Sequence, residues 1–154
     1  MPVRVQEADF DVSAEIAALS DGDATIGAVA AFVGKVRGES GGQALEAMTL
    51  EHYPGMTESE LQSIVDDAAQ RFRLSAVSVI HRIGALKPGD NIVLAVACAP
   101  HRQDAFDGCA FLMDYLKTRA PFWKKEAGPG DSGGWVEARD SDDDALEKWR
   151  TPRS

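Results

Sequence analysis

The clearest periodic pattern of apolar residues lies in MTESELQSIVDDAAQRF, residues 56–72. Its apolar residues share one face of a helix, and Thr57 with Glu60 predicts a capping box at the start of that helix. A second helix is predicted over residues 101–119, and Pro121 prevents it from continuing. The expected apolar stripe of the second helix comprises Ala105, Phe106, Cys109, Leu112, Met113 and Leu116.

Alternating and β-branched segments predict several strands. Residues 3–6 alternate, whereas residues 76–84 and 91–99 are rich in Val and Ile, as in a well-covered sheet. A hairpin-like pair is predicted from residues 25–38 and 44–53, because the glycine-rich segment GESGGQ lies between them. The remaining predicted elements are a short helix over 11–20, short strands over 122–127 and 134–139, and a fraying helix after residue 140.

Helices and strands do not alternate regularly along the chain. This mixture predicts an α+β fold with two long helices and a largely antiparallel sheet. A chain of 154 residues suits one domain with a single core. We place this domain over residues 1–140, followed by an acidic to mixed C-terminal tail over residues 141–154.

Composition and charge narrow the possible functions. The chain is 44% hydrophobic and 27% charged, which is typical of soluble globular proteins. Its net charge of −9 repels nucleic-acid phosphates and anionic lipids, so neither is an expected partner. No apolar run approaches the ~20 residues of a membrane span and no secretion signal is visible, so we expect a cytoplasmic protein.

The cysteines and histidines give no indication of a metal site or of a reactive thiol. Cys98 and Cys109 lie in apolar segments without ligand spacing, and we interpret them as buried free thiols. His52, His81 and His101 are too far apart in sequence to form a spaced ligand pair, so we expect no metal and no cofactor. Phosphate-binding glycine loops and serine-hydrolase elbows do not occur in the sequence.

The segment YLKTRAPFWKKE, residues 115–126, gathers four of the sixteen Lys and Arg residues of this acidic chain. Within it, Lys117 lies at the rim of the predicted apolar stripe, ~60° from its centre at ~100° per residue. Neighbouring cations lower the pKa of a partly desolvated lysine, and its neutral amine can then carry protons or act as a nucleophile. The pattern predicts an anion site with a candidate amine, or alternatively a surface lysine whose stem packs on apolar neighbours.

Other cations lie at the ends of predicted elements. Lys35 and Arg37 lie at the end of a predicted strand, and they suit either an anion site or an ordinary solvated strand end. His101 and Arg102 begin a helix, where positive charge is unfavourable, so a functional role and a simple helix start are both open. Arg119 near the end of that helix suits a partner of the helix dipole or a ligand-binding residue.

Six short segments form an ordered set of motifs. They are GKVRG at 34–38, LEHYPGM at 50–56, VIHRIG at 79–84, HR at 101–102, MDYLKTRAPFWKKE at 113–126 and WVEARD at 135–140. Together they resemble the catalytic large subunit family of molybdopterin synthase, and the resemblance covers roughly residues 25–140. It implies an α/β-hammerhead-like core with a small additional β lobe.

The resemblance implies a sulfurtransferase of molybdenum cofactor biosynthesis that converts cyclic pyranopterin monophosphate into molybdopterin by installing a dithiolene. The implied sulfur donor is the C-terminal Gly-Gly thiocarboxylate of a small ubiquitin-like carrier subunit. Two large and two small subunits are implied to form a heterotetramer that contains a homodimer of large subunits. One alternative is a noncatalytic module that binds the anionic tail of such a partner, and another is an enzyme that uses Cys98 or Cys109 as a sulfur shuttle.

The resemblance also implies roles for residues that match the motifs of the family. Lys117 and Lys124 are the implied catalytic lysines. The implied pterin-phosphate pocket comprises Lys35, Val36, Arg37, His101, Arg102, Lys125 and Glu126, with Phe32, Met113 and Arg139 as further wall positions.

One further expectation comes from helix length. If residues 102–117 form one helix, fifteen steps of ~1.5 Å place Arg102 ~22 Å from Lys117. This distance is long for one pterin phosphate. We therefore predict that a neighbouring large subunit supplies His101 and Arg102 to the site that contains Lys117.

Overall fold

The computed structural model describes residues 3–40, 42–127, 134–136, 146–147 and 149–150, with the backbone alone at 40, 43, 125–127 and 134–136. The helices are α1 (Val12–Ser20), α2 (Met56–Phe72) and α3 (Arg102–Arg119). The strands are β1 (Val3–Gln6), β2 (Ala28–Lys35), β3 (Glu39–Ser40), β4 (Gln43–Ala44), β5 (Ala47–His52), β6 (Ala76–Arg82), β7 (Gly84–Leu86), β8 (Asn91–Ala99), β9 (Phe122–Ala127) and β10 (Gly134–Val136).

The described strands form two four-stranded sheets and one short two-stranded sheet. The first sheet has the order β1-β6-β8-β2, and the second has the order β10-β9-β5-β7. Among the described strand pairs, only β1 and β6 run parallel. The predicted α+β fold with a largely antiparallel sheet is therefore confirmed, and the second sheet matches the implied additional β lobe.

The predicted hairpin between residues 25–38 and 44–53 is wrong. β2 pairs with β8, from Ala28 opposite Ala99 to Lys35 opposite Asn91, whereas β5 lies in the second sheet. The glycine-rich segment instead carries the short hairpin of β3 and β4. Local alternation cannot identify a strand partner that lies far away along the chain, and here the distant β8 provides the pairing for β2.

The main core lies between the first sheet and the two long helices, with α2 over β1 and β6 and α3 over β8 and β2. Helix α1 covers the opposite face of the same sheet. β6 and β8 are consequently buried on both faces, as their Val and Ile content predicts. The buried face of α2 comprises Leu61, Ile64, Val65, Ala68 and Phe72.

Two details of the long helices differ from prediction. At the start of α2, the Gly55 amide donates a hydrogen bond to Glu58 Oε1 at 3.3 Å, so the predicted Thr57–Glu60 capping box is wrong. In α3, Phe106 is 62% exposed although the predicted stripe includes it, and Phe111 is buried although the stripe omits it. The reason is that α3 packs against both the sheet and α2, so its buried surface extends beyond one stripe.

Part of the predicted C-terminal tail contacts the core. The rings of Phe72 and Phe111 each lie 5.5 Å, centroid to centroid, from the Trp149 ring. The indole Nε1 of Trp149 donates a hydrogen bond to Asp114 Oδ2 at 2.6 Å. The predicted domain boundary at residue 140 lies outside the described residues and stays a prediction. None of the helices in the described part of the chain has the length and apolar character to cross a membrane.

Gly27 allows the start of β2 to approach the segment that leads into α3. Its amide donates to the Ala99 carbonyl oxygen at 3.0 Å. A Cβ at position 27 would lie 2.2 Å from the Pro100 carbonyl oxygen, which is much closer than van der Waals contact. Only glycine therefore fits here without a backbone shift.

We expect Gly27→Ala to lower the free energy of unfolding by ~1–3 kcal/mol, because the added methyl group forces β2 away from Pro100. Urea unfolding followed by circular dichroism measures this change. Gly38→Ala is the matched control, since no atom lies within 4 Å of a Cβ at that position. Equal stability of the two variants would contradict the close approach at Gly27.

Candidate active site

The two candidate catalytic lysines lie on either side of the turn that joins α3 to β9. Lys117 is in the last turn of α3, and Lys124 is the third residue of β9. Pro121 separates the two elements, and the buried Thr57 holds it in place. The Thr57 hydroxyl donates to the Pro121 carbonyl oxygen at 3.1 Å and accepts from the Tyr53 amide at 3.0 Å. The start of α2 thus anchors the chain between the two lysines.

His81 supports the same turn from the central sheet. Its ring stacks on Phe122, with centroids 3.8 Å apart and planes inclined by 16°. Its Nδ1 lies 2.8 Å from the Arg82 carbonyl oxygen, so Nδ1 carries the hydrogen and donates it. Burial lowers the pKa of His81 to about 4, and the positive charge of Lys117 acts in the same direction. A neutral imidazole therefore lies within electrostatic range of Lys117.

Strand geometry places Lys124 on the same face of β9 as Phe122, because alternate residues of a strand share a face. In the second sheet, Lys124 pairs with Leu50 of β5. Trp123 lies on the opposite face of β9, with its ring centroid 4.3 Å from that of Tyr53. Packing on both faces therefore fixes the strand that carries the second lysine.

Lys35 and Arg37 lie beside the second sheet, because the residue between them packs against it. Val36 is buried in a cluster that includes Leu50, the strand partner of Lys124. Lys35 and Arg37 themselves are exposed. These two cations therefore lie beside the sheet that carries Lys124, where an anionic ligand can reach them.

His101 and Arg102 lie at the other end of α3 from Lys117. Both are exposed, and the His101 side chain makes no capping hydrogen bond. One uninterrupted helix spans Arg102 to Arg119, which confirms the premise of the length argument. Fifteen helical steps of ~1.5 Å separate Arg102 from Lys117 by ~22 Å, so one chain does not bring them together.

The structure describes the remaining predicted site residues to different extents. Met113 is buried one helical turn before the lysine of α3, and Phe32 is 42% exposed on β2. Lys125 and Glu126 are placed by their backbone on β9. Arg139 lies outside the described residues.

Arg119 belongs to the packing of the helices. Its guanidinium lies 3.2 Å from Glu60 Oε2 and 3.6 Å from Asp67 Oδ2, both on α2. It also lies 5.5 Å from the centroid of the Tyr115 ring. These contacts identify Arg119 as a link between α2 and α3, which neither interpretation from the sequence anticipates.

Both cysteines are buried free thiols, as the sequence predicts. Burial raises the pKa of Cys98, and it raises the pKa of Cys109 to about 11. Both thiols are therefore protonated near pH 7, which makes them poor sulfur nucleophiles. Among the described residues, no three His, Cys, Asp or Glu side chains are grouped so that they could hold a metal ion.

Sequence reasoning misses the two residues that hold the turn. It predicts a capping role for Thr57, whose actual partner Pro121 lies far away in the chain. It assigns His81 no role beyond the absence of metal spacing. The available indication is a single histidine within the apolar strand segment AVSVIHR, which suggests a buried ring but cannot identify Phe122 as its contact.

The chain is similar to one family of proteins over most of its length. Residues 5–119 match the family described as MoaE protein. The chain is 55% identical to the molybdopterin synthase catalytic subunit of Mesorhizobium japonicum, over 97% of this chain and 93% of that protein.

Solved structures show the same similarity. The molybdopterin biosynthesis MoaE protein from Burkholderia ambifaria aligns with a TM-score of 0.83 and 49% identity, over 97% of this chain and 98% of that one. Molybdopterin synthase from Staphylococcus aureus aligns with a TM-score of 0.80 and 28% identity, over 86% of this chain and 95% of that one. The similarity therefore includes both sheets and the two long helices.

We expect the protein to lose stability as the pH falls from 6.5 towards 4. His81 titrates near its ordinary value of 6.5 when the chain is unfolded, but its pKa is about 4 in the folded chain. Unfolding therefore takes up a proton in this range, and the linked loss of stability is on the order of 3 kcal/mol. His81→Phe keeps a ring against Phe122 and removes this titration.

Urea unfolding at pH 7 and pH 4.5 measures the effect. Stability should fall less between these pH values in His81→Phe than in the wild type. His101→Gln is the control, because it removes an exposed histidine and should keep the wild-type pH dependence. An unchanged pH dependence in His81→Phe would show that His81 is not buried as a neutral ring.

Proposed function

The chain belongs to the MoaE family, the molybdopterin synthase catalytic subunits, and we propose that Lys117 and Lys124 are its catalytic amines. The observation that carries this proposal is the position of the two lysines on either side of one anchored turn. Thr57 binds the turn at Pro121, and His81 supports it through Phe122. Two amines held in this way can act on one ligand.

The reaction transfers sulfur from the thiocarboxylated C-terminus of the small ubiquitin-like carrier to cyclic pyranopterin monophosphate. Its product is the dithiolene of molybdopterin. The thiocarboxylate and the phosphate are both anionic, whereas this chain has a net charge of −9. A local group of cations therefore attracts both reactants to one part of a protein that otherwise repels them.

Lys117 and Lys124 assist proton transfer and stabilise negative charge as the thiocarboxylate sulfur attacks the pterin side chain, where a C–S bond forms and a C–O bond breaks. Water then cleaves the resulting thioester, so the sulfur stays on the pterin and the carrier leaves as a carboxylate. Met113 is buried one turn earlier on α3, at the i,i+4 spacing that lets the stem of Lys117 pack on it. His81 is neutral at pH 7 and adds no positive charge beside the amine of Lys117. Neither cysteine takes part, because both thiols are buried and protonated.

The phosphate is held by the other cations of the pocket. Lys35 and Arg37 are exposed beside the second sheet, and an Arg guanidinium offers a planar fork that matches phosphate oxygens. The carrier and the substrate bring the sulfur and the phosphate, so no cofactor is assigned to this chain. We also propose that the protein is located in the cytoplasm. The full proposed pocket comprises Lys35, Val36, Arg37, His101, Arg102, Lys125 and Glu126, with Phe32, Met113 and Arg139 at its wall.

A second large subunit supplies His101 and Arg102 to each site. The reason is the straight helix α3, which keeps Arg102 ~22 Å from Lys117 of its own chain. The homodimer of large subunits at the centre of the heterotetramer is then part of the active site. Each dimer contains two equivalent sites, and each site draws residues from both chains.

We expect Lys117→Ala to reduce dithiolene formation by at least ~100-fold while carrier binding persists, because a proton-transfer and charge-stabilising group is lost. The assay combines the variant with thiocarboxylated carrier and cyclic pyranopterin monophosphate. Lys87→Ala, which removes an exposed lysine outside the proposed site, is the control. Full activity of Lys117→Ala would refute the assignment, and a wild-type chain that binds carrier without turnover would indicate a noncatalytic module.

Co-expression of Arg102→Ala and Lys117→Ala chains tests the shared site. A mixed dimer contains one site with both residues intact if the two chains share each site. Random pairing makes half of the dimers mixed, so about one quarter of the wild-type activity should return. Each variant alone is the control, and no recovery in the mixture would show that each site is built within one chain.

A further inference from the structure

The segment that carries Lys35 and Arg37 is hydrogen-bonded to the turn that precedes β8. The Gly89 amide donates to the Val36 carbonyl oxygen at 2.9 Å, and the Val36 amide donates to the Asp90 carbonyl oxygen at 2.9 Å. Lys35 Nζ donates to the Gly89 carbonyl oxygen at 3.3 Å. The turn therefore holds both the backbone between the two cations and one of the two cationic side chains.

A bulge separates this contact from the regular pairing of β2 with β8. Gly34 lies opposite Val93, but Lys35 lies opposite Asn91, so β8 contains one extra residue at this point. A bulge bends the strand and changes the direction of its side chains. Beyond the bulge, the two hydrogen bonds between Val36 and the turn take the place of regular strand pairing.

The turn itself has a defined conformation. Pro88 and Gly89 occupy its two central positions, and Gly89 has a φ of 91°. The Asp90 amide donates to the Lys87 carbonyl oxygen at 3.0 Å. These are the features of a type II turn, whose third residue favours glycine because its φ is positive. The Asp90 carboxylate also accepts a hydrogen bond from the Lys87 amide at 3.0 Å, so Lys87 takes part in these contacts through its backbone.

Asn91, the first residue after the turn, anchors it to the first sheet. Its side-chain amide donates to Asp9 Oδ1 at 3.0 Å, and its carbonyl oxygen accepts from Arg82 Nη1 at 2.9 Å. The Phe10 amide and the Asn91 side chain donate hydrogen bonds that lower the pKa of Asp9, and nearby positive charges, including that of Lys35, lower this pKa further. Asp9 is therefore ionised at neutral pH, and its charge attracts Lys35 towards the turn.

We propose that the turn at Gly89 is a positioning element that holds Lys35 and Arg37 in place for the phosphate of the substrate. This role rests on the proposed function, in which these two cations hold that phosphate. Gly89 and Asp90 act through Val36 and do not contact the ligand. An ammonium group has three donors, so Lys35 keeps two for phosphate oxygens after it donates to Gly89. A side chain that is already oriented loses less conformational entropy when the ligand binds.

Gly89→Ala tests this role, because alanine at a φ of 91° is strained although no atom lies within 4 Å of its Cβ. The variant should bind cyclic pyranopterin monophosphate at least ~5-fold more weakly, since the strained turn shifts and Val36 moves with it. Isothermal titration calorimetry in the absence of the carrier measures the Kd for the pterin. The Kd for the carrier should stay at the wild-type value, which a general loss of folded structure would not allow.

Two further variants separate the turn from a general effect of strain. Gly22→Ala is the matched control, because Gly22 also has a positive φ, 82°, and no atom within 4 Å of its Cβ, but it lies in the loop after α1. It should bind the pterin as the wild type does, even if it is as unstable as Gly89→Ala. Gly89→Asn should restore part of the affinity that Gly89→Ala loses, because asparagine tolerates a positive φ better than alanine.

A double-mutant cycle shows whether the turn acts through the two cations. Lys35→Ala/Arg37→Ala should itself weaken pterin binding. Adding Gly89→Ala to it should cause little further loss, because the groups that the turn positions are already absent. Additive losses would mean that Gly89 affects binding by another route, and they would overturn the proposal.

The remaining outcomes distinguish this proposal from the proposed function. If Lys35→Ala/Arg37→Ala loses affinity for the pterin but Gly89→Ala binds it as tightly as Gly22→Ala, the phosphate assignment stands and the positioning role fails. If Lys35→Ala/Arg37→Ala binds the pterin as the wild type does, the phosphate assignment fails and the positioning role fails with it.

Discussion

The rigid course of α3 is the constraint on which the arrangement of the molecule depends. The helix begins directly after the close contact between Gly27 and Pro100, runs back along β8, and ends before Pro121. Its beginning is thereby fixed to the first sheet and its end is fixed to the start of β9 in the second. Because a helix neither stretches nor bends easily, the two groups of candidate site cations at its ends cannot approach each other within one chain.

At the end of α3, the supporting groups are buried and neutral, whereas the candidate ligand-binding groups are exposed and charged. Thr57 and His81 are buried and neutral at pH 7. The Thr57 hydroxyl donates to the Pro121 carbonyl oxygen and the His81 ring stacks on Phe122, so both hold the turn without adding charge. Lys117 is exposed, and the Lys35 and Arg37 side chains are exposed beside the second sheet. This division fits a site for anionic ligands, since supporting groups that carried negative charge would compete with the ligand for the cations.

The sequence predicts those features that depend on neighbouring residues. The buried face of α2, the end of α3 before Pro121 and the burial of both cysteines follow from local spacing and composition. Features that depend on distant partners are wrong or missed. The pairing of β2 with β8 and the contact of Thr57 with Pro121 join segments that no local pattern relates. Phe106 is exposed and Phe111 is buried, opposite to the prediction, because the distant helix α2 lies against one flank of α3.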